Sequence, residues 1–307
     1  MKAAVKYVVG EQYLLIDLVM WTKNGAFTLP TVLKRIDRVI PDDSVAQRII
    51  VDDKSSDNTR KIARSFGWDV LFNEGGGISN GANTALKHVS SEYFVSFEQD
   101  LLLNAAWWKK ISREMTDPKV AVVSGIRFAD RPQGVKKLQQ YVAKKYKGEK
   151  ELAPWLKSRQ MSAFTLGKTL DNTIYKTRII REIGGFPKTQ LNAGVDTLLA
   201  YAIDAAGYQW IVDYNVQSTH LRTSLREELN HQQWYASMLY EIWGEIETKS
   251  NQPPPVTRFD VIYRCVIGPF TGMFMAVKMK EPSIAYIHPL IRLYYLRGFL
   301  TASKPSS

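Results

Sequence analysis

Two acidic clusters close short apolar runs in this chain. Ile50-Val51 leads into Asp52-Asp53-Lys54-Ser55-Ser56-Asp57-Asn58-Thr59, and Tyr93-Phe94-Val95-Ser96-Phe97 leads into Glu98-Gln99-Asp100. Adjacent aspartates at the carboxyl end of a strand place one side chain in the crevice where open α/β sheets bind ligands, and a carboxylate there accepts hydrogen bonds from a base edge or a ribose hydroxyl. Ser56 or Asp57 can instead cap the helix that follows. In the second cluster the carboxylates stand two residues apart, a spacing that lets both reach one cation. Mg2+ and Mn2+ take oxygen ligands and keep positions open for phosphate oxygens, so Glu98 and Asp100 are candidate metal-site residues. Gly75, Gly76 and Gly77 admit a ligand close to the backbone or simply make a flexible turn. Further on, Asp196 can accept a proton or cap a helix beginning near Thr197. His220, after a strand-like run, is either a structural imidazole or a metal ligand.

These residues need a frame to bring them together. From Leu14 onward, short apolar runs alternate with amphipathic stretches of helical length, the pattern of parallel strands joined by crossover helices. Strands are expected at 14–21, 47–51, 68–72, 93–97 and 120–126, and helices at 28–40, 58–66 and 81–89. A strand-helix stretch at 173–183 runs into the turn Gly184-Gly185-Phe186-Pro187. A helix at 195–206 is stopped by Gly207, a strand follows at 210–216, and one or two helices fill 221–246. The lysine-rich stretch 133–150 reads as a helix with a solvated face or a mobile segment. Three consecutive prolines at 253–255 mark a boundary. The order predicts an α/β fold: a mostly parallel, nucleotide-binding sheet flanked by helices, with a C-terminal amphipathic helical extension.

Composition narrows the classes. At 307 residues, with 45% hydrophobic and 23% charged residues, the chain can bury a sizeable core, which excludes a disordered protein. The one cysteine, Cys265, excludes an intramolecular disulfide framework and any multi-cysteine metal site, and points to a reducing compartment. Residues 1–10 mix lysines into a short apolar stretch unlike a cleaved secretory signal, so they are expected to be retained. The net charge of +11 is uneven: residues 1–130 carry 17 basic against 16 acidic side chains, 131–255 carry 17 against 12, and 256–307 carry 7 against 2. The excess lies beyond the most strongly patterned part, which argues against a nucleic-acid binder and for a surface that meets anionic lipid or phosphate. The uncharged run Cys265 to Val277 has 13 residues, too few to cross a hydrocarbon layer that needs about 20. In the segment 284–300, Tyr286, Ile287, Leu290, Ile291, Tyr294, Tyr295 and Leu296 interleave with Arg292 and Arg297, which suits a helix in the headgroup region. The same residues can also pack on the rest of the chain or on a second subunit.

Taken in order, the end of the first strand at Thr22-Lys23-Asn24-Gly25, the cluster Asp52 to Thr59, Asn73-Glu74-Gly75-Gly76-Gly77 with Asn83-Thr84-Ala85-Leu86, and Glu98-Gln99-Asp100 resemble the motifs of family 2 glycosyltransferases of the GT-A (Rossmann-like) fold, over roughly residues 17 to 220. The resemblance implies a domain at 1–250, with a nucleotide-sugar half at about 14–130 and an acceptor half at about 131–250, followed by a basic aromatic tail at 251–307. It implies a nucleotide diphosphate sugar donor, UDP- or GDP-linked, and Mn2+ or Mg2+ at the diphosphate. Thr22 and Asn24 would line the nucleoside pocket, with Asp53 and Asp52 at the base and Gly76 and Gly77 admitting the donor. Glu98-Gln99-Asp100 stands at the family's Asp-x-Asp position with Glu for the first Asp. Glu98 and Gln99 would meet the donor, and Asp100, with His220, the metal. Gly184-Gly185-Phe186 matches the family's turn, and Gly194-Val195-Asp196 its later acidic motif, with Val195 in place of the first acid. Asp196 would then be the base of an inverting transfer. Gln232-Gln233-Trp234 lacks the arginine of processive members, so no polymerising synthase is inferred. The expected acceptor is lipid-linked or a glycan, the expected place the cytoplasmic face of a membrane, and the tail can also pair subunits into a homo-oligomer. The rival readings are a nucleotidyltransferase on a similar sheet and a non-catalytic nucleotide-sugar-binding or scaffold protein.

Overall fold

The computed structural model describes residues 8–9, 12–146, 167–189, 193–221, 224–250 and 258–302. The chain divides into two units, Met1–Arg127 with Gly167–Thr219, and Phe128–Leu166 with His220–Ser307. The division cuts two strands near their last residues, after Arg127 in one and after Thr219 in the other.

The first unit is built on an eight-stranded sheet. A short antiparallel pair, β1 (Val8–Val9) and β2 (Gln12–Tyr13), precedes it. Its strands in chain order are β3 (Ile16–Thr22), β4 (Val45–Asp52), β5 (Asp69–Phe72), β6 (Tyr93–Phe97), β7 (Leu101–Leu102), β8 (Val120–Ala129), β9 (Thr173–Lys176) and β10 (Gln209–His220), and their spatial order is β5-β4-β3-β6-β9-β8-β10-β7. β5, β4, β3 and β6 are parallel, and β9 runs antiparallel to both β6 and β8. Every residue of β3 is buried, which explains its unbroken apolar run: a central parallel strand is covered on both faces. Between the strands lie α1 (Leu29–Val39), α2 (Thr59–Ser65), α3 (Gly77–His88) and α4 (Trp107–Ile111). In α1, Leu29, Val32, Leu33 and Ile36 are buried at helical spacing, and Pro30 sits in the first turn, where no backbone donor is lost.

Register sets the site. Thr22 pairs with Asp52, and Met20 pairs with Phe97, so the carboxyl ends of β3, β4 and β6 finish side by side. At the opposite end of β3, Asp17 is fully buried and accepts hydrogen bonds from Ser90 N at 2.6 Å, Ser91 Oγ at 2.7 Å and Gln47 Nε2 at 2.7 Å. That carboxylate is a brace between strand starts. After α6 (Thr177–Glu182), the turn at Gly184 and Gly185 uses φ of +90° and +86°, values glycine adopts without strain. Asn83 on α3 docks this turn by donating to Phe186 O at 2.9 Å and accepting from Phe186 N at 3.0 Å. The Phe186 ring packs edge-on against Trp21, Phe94 and Tyr175 in the core. The helix α7 (Val195–Ala205) then leads to β10.

The second unit is helical: α5 (Gln133–Tyr146), α8 (Leu225–Ser237), α9 (Leu239–Ser250), α10 (Arg258–Val266), α11 (Gly268–Met279) and α12 (Ile284–Thr301). The stretch 221–246 thus resolves into two helices, the first opened by a capping box in which Ser224 and Glu227 satisfy each other's backbone donors. Val135, Leu138, Ala276, Ile284 and Ile287 form its core with Ala129. Two glycines let backbones meet: a Cβ at Gly272 would lie 2.9 Å from Pro289 Cδ, and one at Gly298 would lie 2.0 Å from Gln233 O. The segment 284–300 is a helix, as expected, but its apolar residues divide. Ile284, Ile287 and Phe299 are buried inside the unit, whereas Tyr286, Leu293 and Leu300 are exposed. Among the described residues no single helix is long and apolar enough to cross a membrane. Lys147, Lys150 and the prolines at 253–255 lie outside the described residues.

Candidate active site

The carboxyl end of β3 is tied to its neighbours by short polar links. The Thr22 hydroxyl donates to Gln99 Oε1, Lys23 N donates to the same oxygen at 3.0 Å, and Gln99 Nε2 returns a bond to Lys23 O at 3.0 Å. Gln99 therefore rivets the loop after β6 to the loop after β3. Gly25 has no side chain because a Cβ there would stand 2.5 Å from Gln99 Oε1. Asn24 takes φ of +50°, which asparagine tolerates better than most residues. Its backbone donates to Ser55 Oγ at 2.8 Å, and its side-chain oxygen accepts from Ser56 N at 2.9 Å, which fastens the first loop to the second.

The two adjacent aspartates separate, as alternation along a strand requires. Asp52 is fully buried and holds its own loop, accepting from Ser55 N at 3.0 Å with Arg60 Nε 3.7 Å away. Asp53 faces the glycine loop instead. Its carboxylate lies 3.4 Å from Lys23 Nζ and 3.5 Å from Gly77 N at the start of α3, and a Cβ on Gly76 would come within 3.6 Å of it. Asp57 accepts from Thr59 N and Ala26 N, each at 3.0 Å, and so ties the first loop to the start of α2; the N-cap itself is Asn58, which makes no side-chain cap bond.

The second acidic cluster contains a partner that motif spacing does not reveal. Arg127 on β8 reaches Glu98 Oε2 at 2.8 Å and also bonds Asp171, whose carboxyl is fully buried. Burial opposes a charge on this guanidinium, but Asp171 and then Glu98 outweigh it and hold Arg127 cationic. The extra methylene of Glu98, relative to an aspartate, gives the side chain the reach for this ion pair. Asp196 sits in the first turn of α7, after Gly194 in the left-handed region, and accepts from Thr197 N at 2.8 Å. Burial pushes its carboxyl up to about 6; Thr197 N and Arg127 pull it down, while the charges of Glu98 and Asp171 add to the rise. An acid poised there is ionised at neutral pH and still basic enough to take a proton. His220, buried, ends β10, and ligand atoms of Glu98, Asp100 and His220 all lie within 4.8 Å of one another. Two carboxylates and an imidazole make a donor set that fits Mn2+, and less well Mg2+, which takes oxygen almost alone.

Thr22, Asn24, Asp53, Gly76, Gly77 and Gln99 thus cluster at the ends of β3, β4 and β6, and Glu98, Asp100 and Asp196 gather around Arg127 and the end of β10. Asp52 is the residue that points elsewhere. Arg127 and Asp171 are additions: the first lies inside a strand-like run and the second precedes β9, so only the β8–β9 pairing shows that they meet. A cleft of about 720 Å3 runs along α3 to the glycine turn, lined by Asn80, Asn83, Lys87, Arg181, Gly185 and Lys188. It does not contain the carboxylates just described.

Comparison with known proteins gives the same fold. A model described as Glycosyl transferase family 2 matches residues 17–179. No curated protein matches the sequence. Among solved structures, mannosyltransferase PcManGT from Pyrobaculum calidifontis, in complex with GDP-Man and Mn2+, is similar at 17% identity with a TM-score of 0.64, covering 93% of this chain and 86% of that one. Glucosyl-3-phosphoglycerate synthase from Mycobacterium tuberculosis, with Mn2+, UDP and glucosyl-3-phosphoglycerate, is similar at 15% identity with a TM-score of 0.55, covering 80% and 85%. S. aureus TarS 1-349 is similar at 15% identity with a TM-score of 0.54, covering 93% and 89%.

Proposed function

This chain belongs to glycosyl transferase family 2, and from that membership we propose that it moves a sugar from a UDP- or GDP-linked donor to an acceptor hydroxyl by a single inverting displacement. The observation that carries the reading is the group of Glu98, Asp100 and His220 with Asp196 in the same field of charge. Asp53 receives the base edge, and the loop at Gly76 and Gly77 leaves the donor room against the start of α3. Asp100 and His220 would hold Mn2+ or Mg2+, with Glu98 completing the set, and a cation there would supply positive charge against the departing nucleoside diphosphate. Asp196 takes the proton from the acceptor hydroxyl while that oxygen attacks the anomeric carbon, and the bond from this carbon to the diphosphate oxygen breaks. Arg127 holds Glu98 in place without spending its own charge on the donor.

PcManGT with GDP-Man and Mn2+, and the glucosyl-3-phosphoglycerate synthase with UDP, support the donor class and the cation. The basic tail supports a lipid-linked acceptor in glycan or glycolipid synthesis, with the enzyme peripheral on the cytoplasmic face of a membrane. The test is a panel of UDP- and GDP-sugars with Mn2+, read by thermal stabilisation and then by product. Release of nucleoside diphosphate with sugar transfer is expected. Pyrophosphate release would make the chain a nucleotidyltransferase. Nucleotide and Mn2+ binding with no turnover on any donor would make it a binding protein.

A further inference from the structure

Within the second unit, α10 and α11 carry their largest apolar residues on the outside. Phe259, Ile262, Tyr263 and Val266 recur at i, i+3, i+4 and i+7, and Phe270, Met273, Phe274 and Val277 repeat the same spacing on α11. Their exposures run from 46% at Ile262 to 78% at Phe270. That spacing ordinarily marks the face a helix turns toward a core. Here the inward positions of α11 are Gly268, Gly272 and Ala276, and the side chains they lack let α12 approach closely. Small residues inward and large ones outward is the arrangement of helices whose surroundings are apolar.

We propose that this stripe is a docking surface for an anionic lipid bilayer, with α10 and α11 lying in the headgroup and upper acyl region. The bilayer is favoured over a second copy of the chain by charge. Arg258, Arg264, Lys278 and Lys280 flank the stripe with only Asp260 and Glu281 against them, so two copies would bring like charges together, while an anionic leaflet neutralises them. Lys278 lies with its ammonium 5.8 Å from the Phe274 ring and 5.1 Å from the Tyr141 ring, at the border of the apolar stripe, as a residue at the headgroup level would. The geometry favours lying over crossing. Helices of 9 and 12 residues are about 14 and 18 Å long, short of a hydrocarbon core of about 30 Å, and they meet at a bend of 59°. The surface lies on α10 and α11 and not on α12, whose Ile284 and Ile287 are committed to the unit's own core.

The experiment is flotation of the full chain with vesicles of phosphatidylcholine alone and of phosphatidylcholine with 30% phosphatidylglycerol, alongside measurement of mass in solution. The wild type is expected to float with the anionic vesicles at least tenfold more than with the neutral ones. Phe270→Asp with Phe274→Asp is expected to lower the floated fraction at least tenfold with an unchanged far-ultraviolet circular dichroism spectrum and unchanged nucleotide binding. Leu293→Asp on α12 is the control, with flotation near wild type. Equal flotation of the double variant would overturn the proposal. So would a wild type that does not float and is a dimer that Phe270→Asp with Phe274→Asp splits, since a second copy would then cover the stripe. None of these readouts requires sugar transfer, so the proposed activity and the docking surface can fail separately.

Discussion

At the strand ends of the first unit, charge lies inside: Asp52 and Asp171 are fully buried, and Arg127 stands among carboxylates. On α10 and α11 of the second unit, grease lies outside, with Phe259, Phe270 and Val277 each more than two-thirds exposed. Both regions invert the ordinary partition of a folded chain, and each inversion carries a free-energy cost. In the first region the cost is met by pairing, because a buried carboxylate beside a guanidinium is tolerable where a lone one is not. In the second no partner within the described residues covers the stripe, and the proposed bilayer would supply the compensation.

Substitutions can break this contrast, and the largest effect belongs to the charged region. Asp196→Asn keeps the hydrogen bond from Thr197 N within reach but removes the proton acceptor. Transfer to a hydroxyl is expected to fall by about 10²–10⁴ with nucleotide binding retained, as measured by turnover and by calorimetry. Arg127→Ala leaves Asp171 buried beside Glu98 without its cation, and a loss of about 3–5 kcal/mol in urea unfolding is expected. Ile287→Ala in the helical core should cost about 2–5 kcal/mol in the same measurement. An acid limb in the rate is expected if Asp196, whose carboxyl is pushed up to about 6, is the proposed base, because a base works only when ionised. One pH unit below its value, about a tenth of the molecules are ionised and turnover falls about tenfold, with activity recovered as pH rises. A bound cation moves this limb lower, so the free enzyme's kcat/KM is the profile to record. Phe274→Ala closes the series: without vesicles its stability should stay within about 0.5 kcal/mol of wild type, because the ring touches no core. A large destabilisation there would show that the stripe is packing after all.

Much of the frame of the candidate site is legible in the sequence because central parallel strands leave continuous apolar runs and end abruptly in polar residues. Met20 to Thr22, Ile50 to Asp53 and Phe97 to Asp100 are such ends, and local chemistry at each end names its residues. The helix at Leu225 and the turn at Gly184-Gly185 are equally local, since a capping box and a positive φ are matters of a few neighbouring residues. The pair Arg127 and Asp171 is of another kind. Forty-four positions separate them, and they meet only because β8 and β9 are antiparallel neighbours. The split between Asp52 inside and Asp53 outside likewise depends on which face of β4 the helices cover.

From the order of residues alone come the strand ends, the acidic clusters, the basic tail and the helical spacing of its apolar residues, because each is a property of a short stretch. The tertiary structure decided which carboxylates share one guanidinium and which apolar stripe of the tail faces the core. Periodicity says that a helix has an apolar face; only the packing of Gly268, Gly272 and Ala276 against α12 says that the large residues of α11 point away from it. Burial is a relation between distant segments, and no single segment contains it.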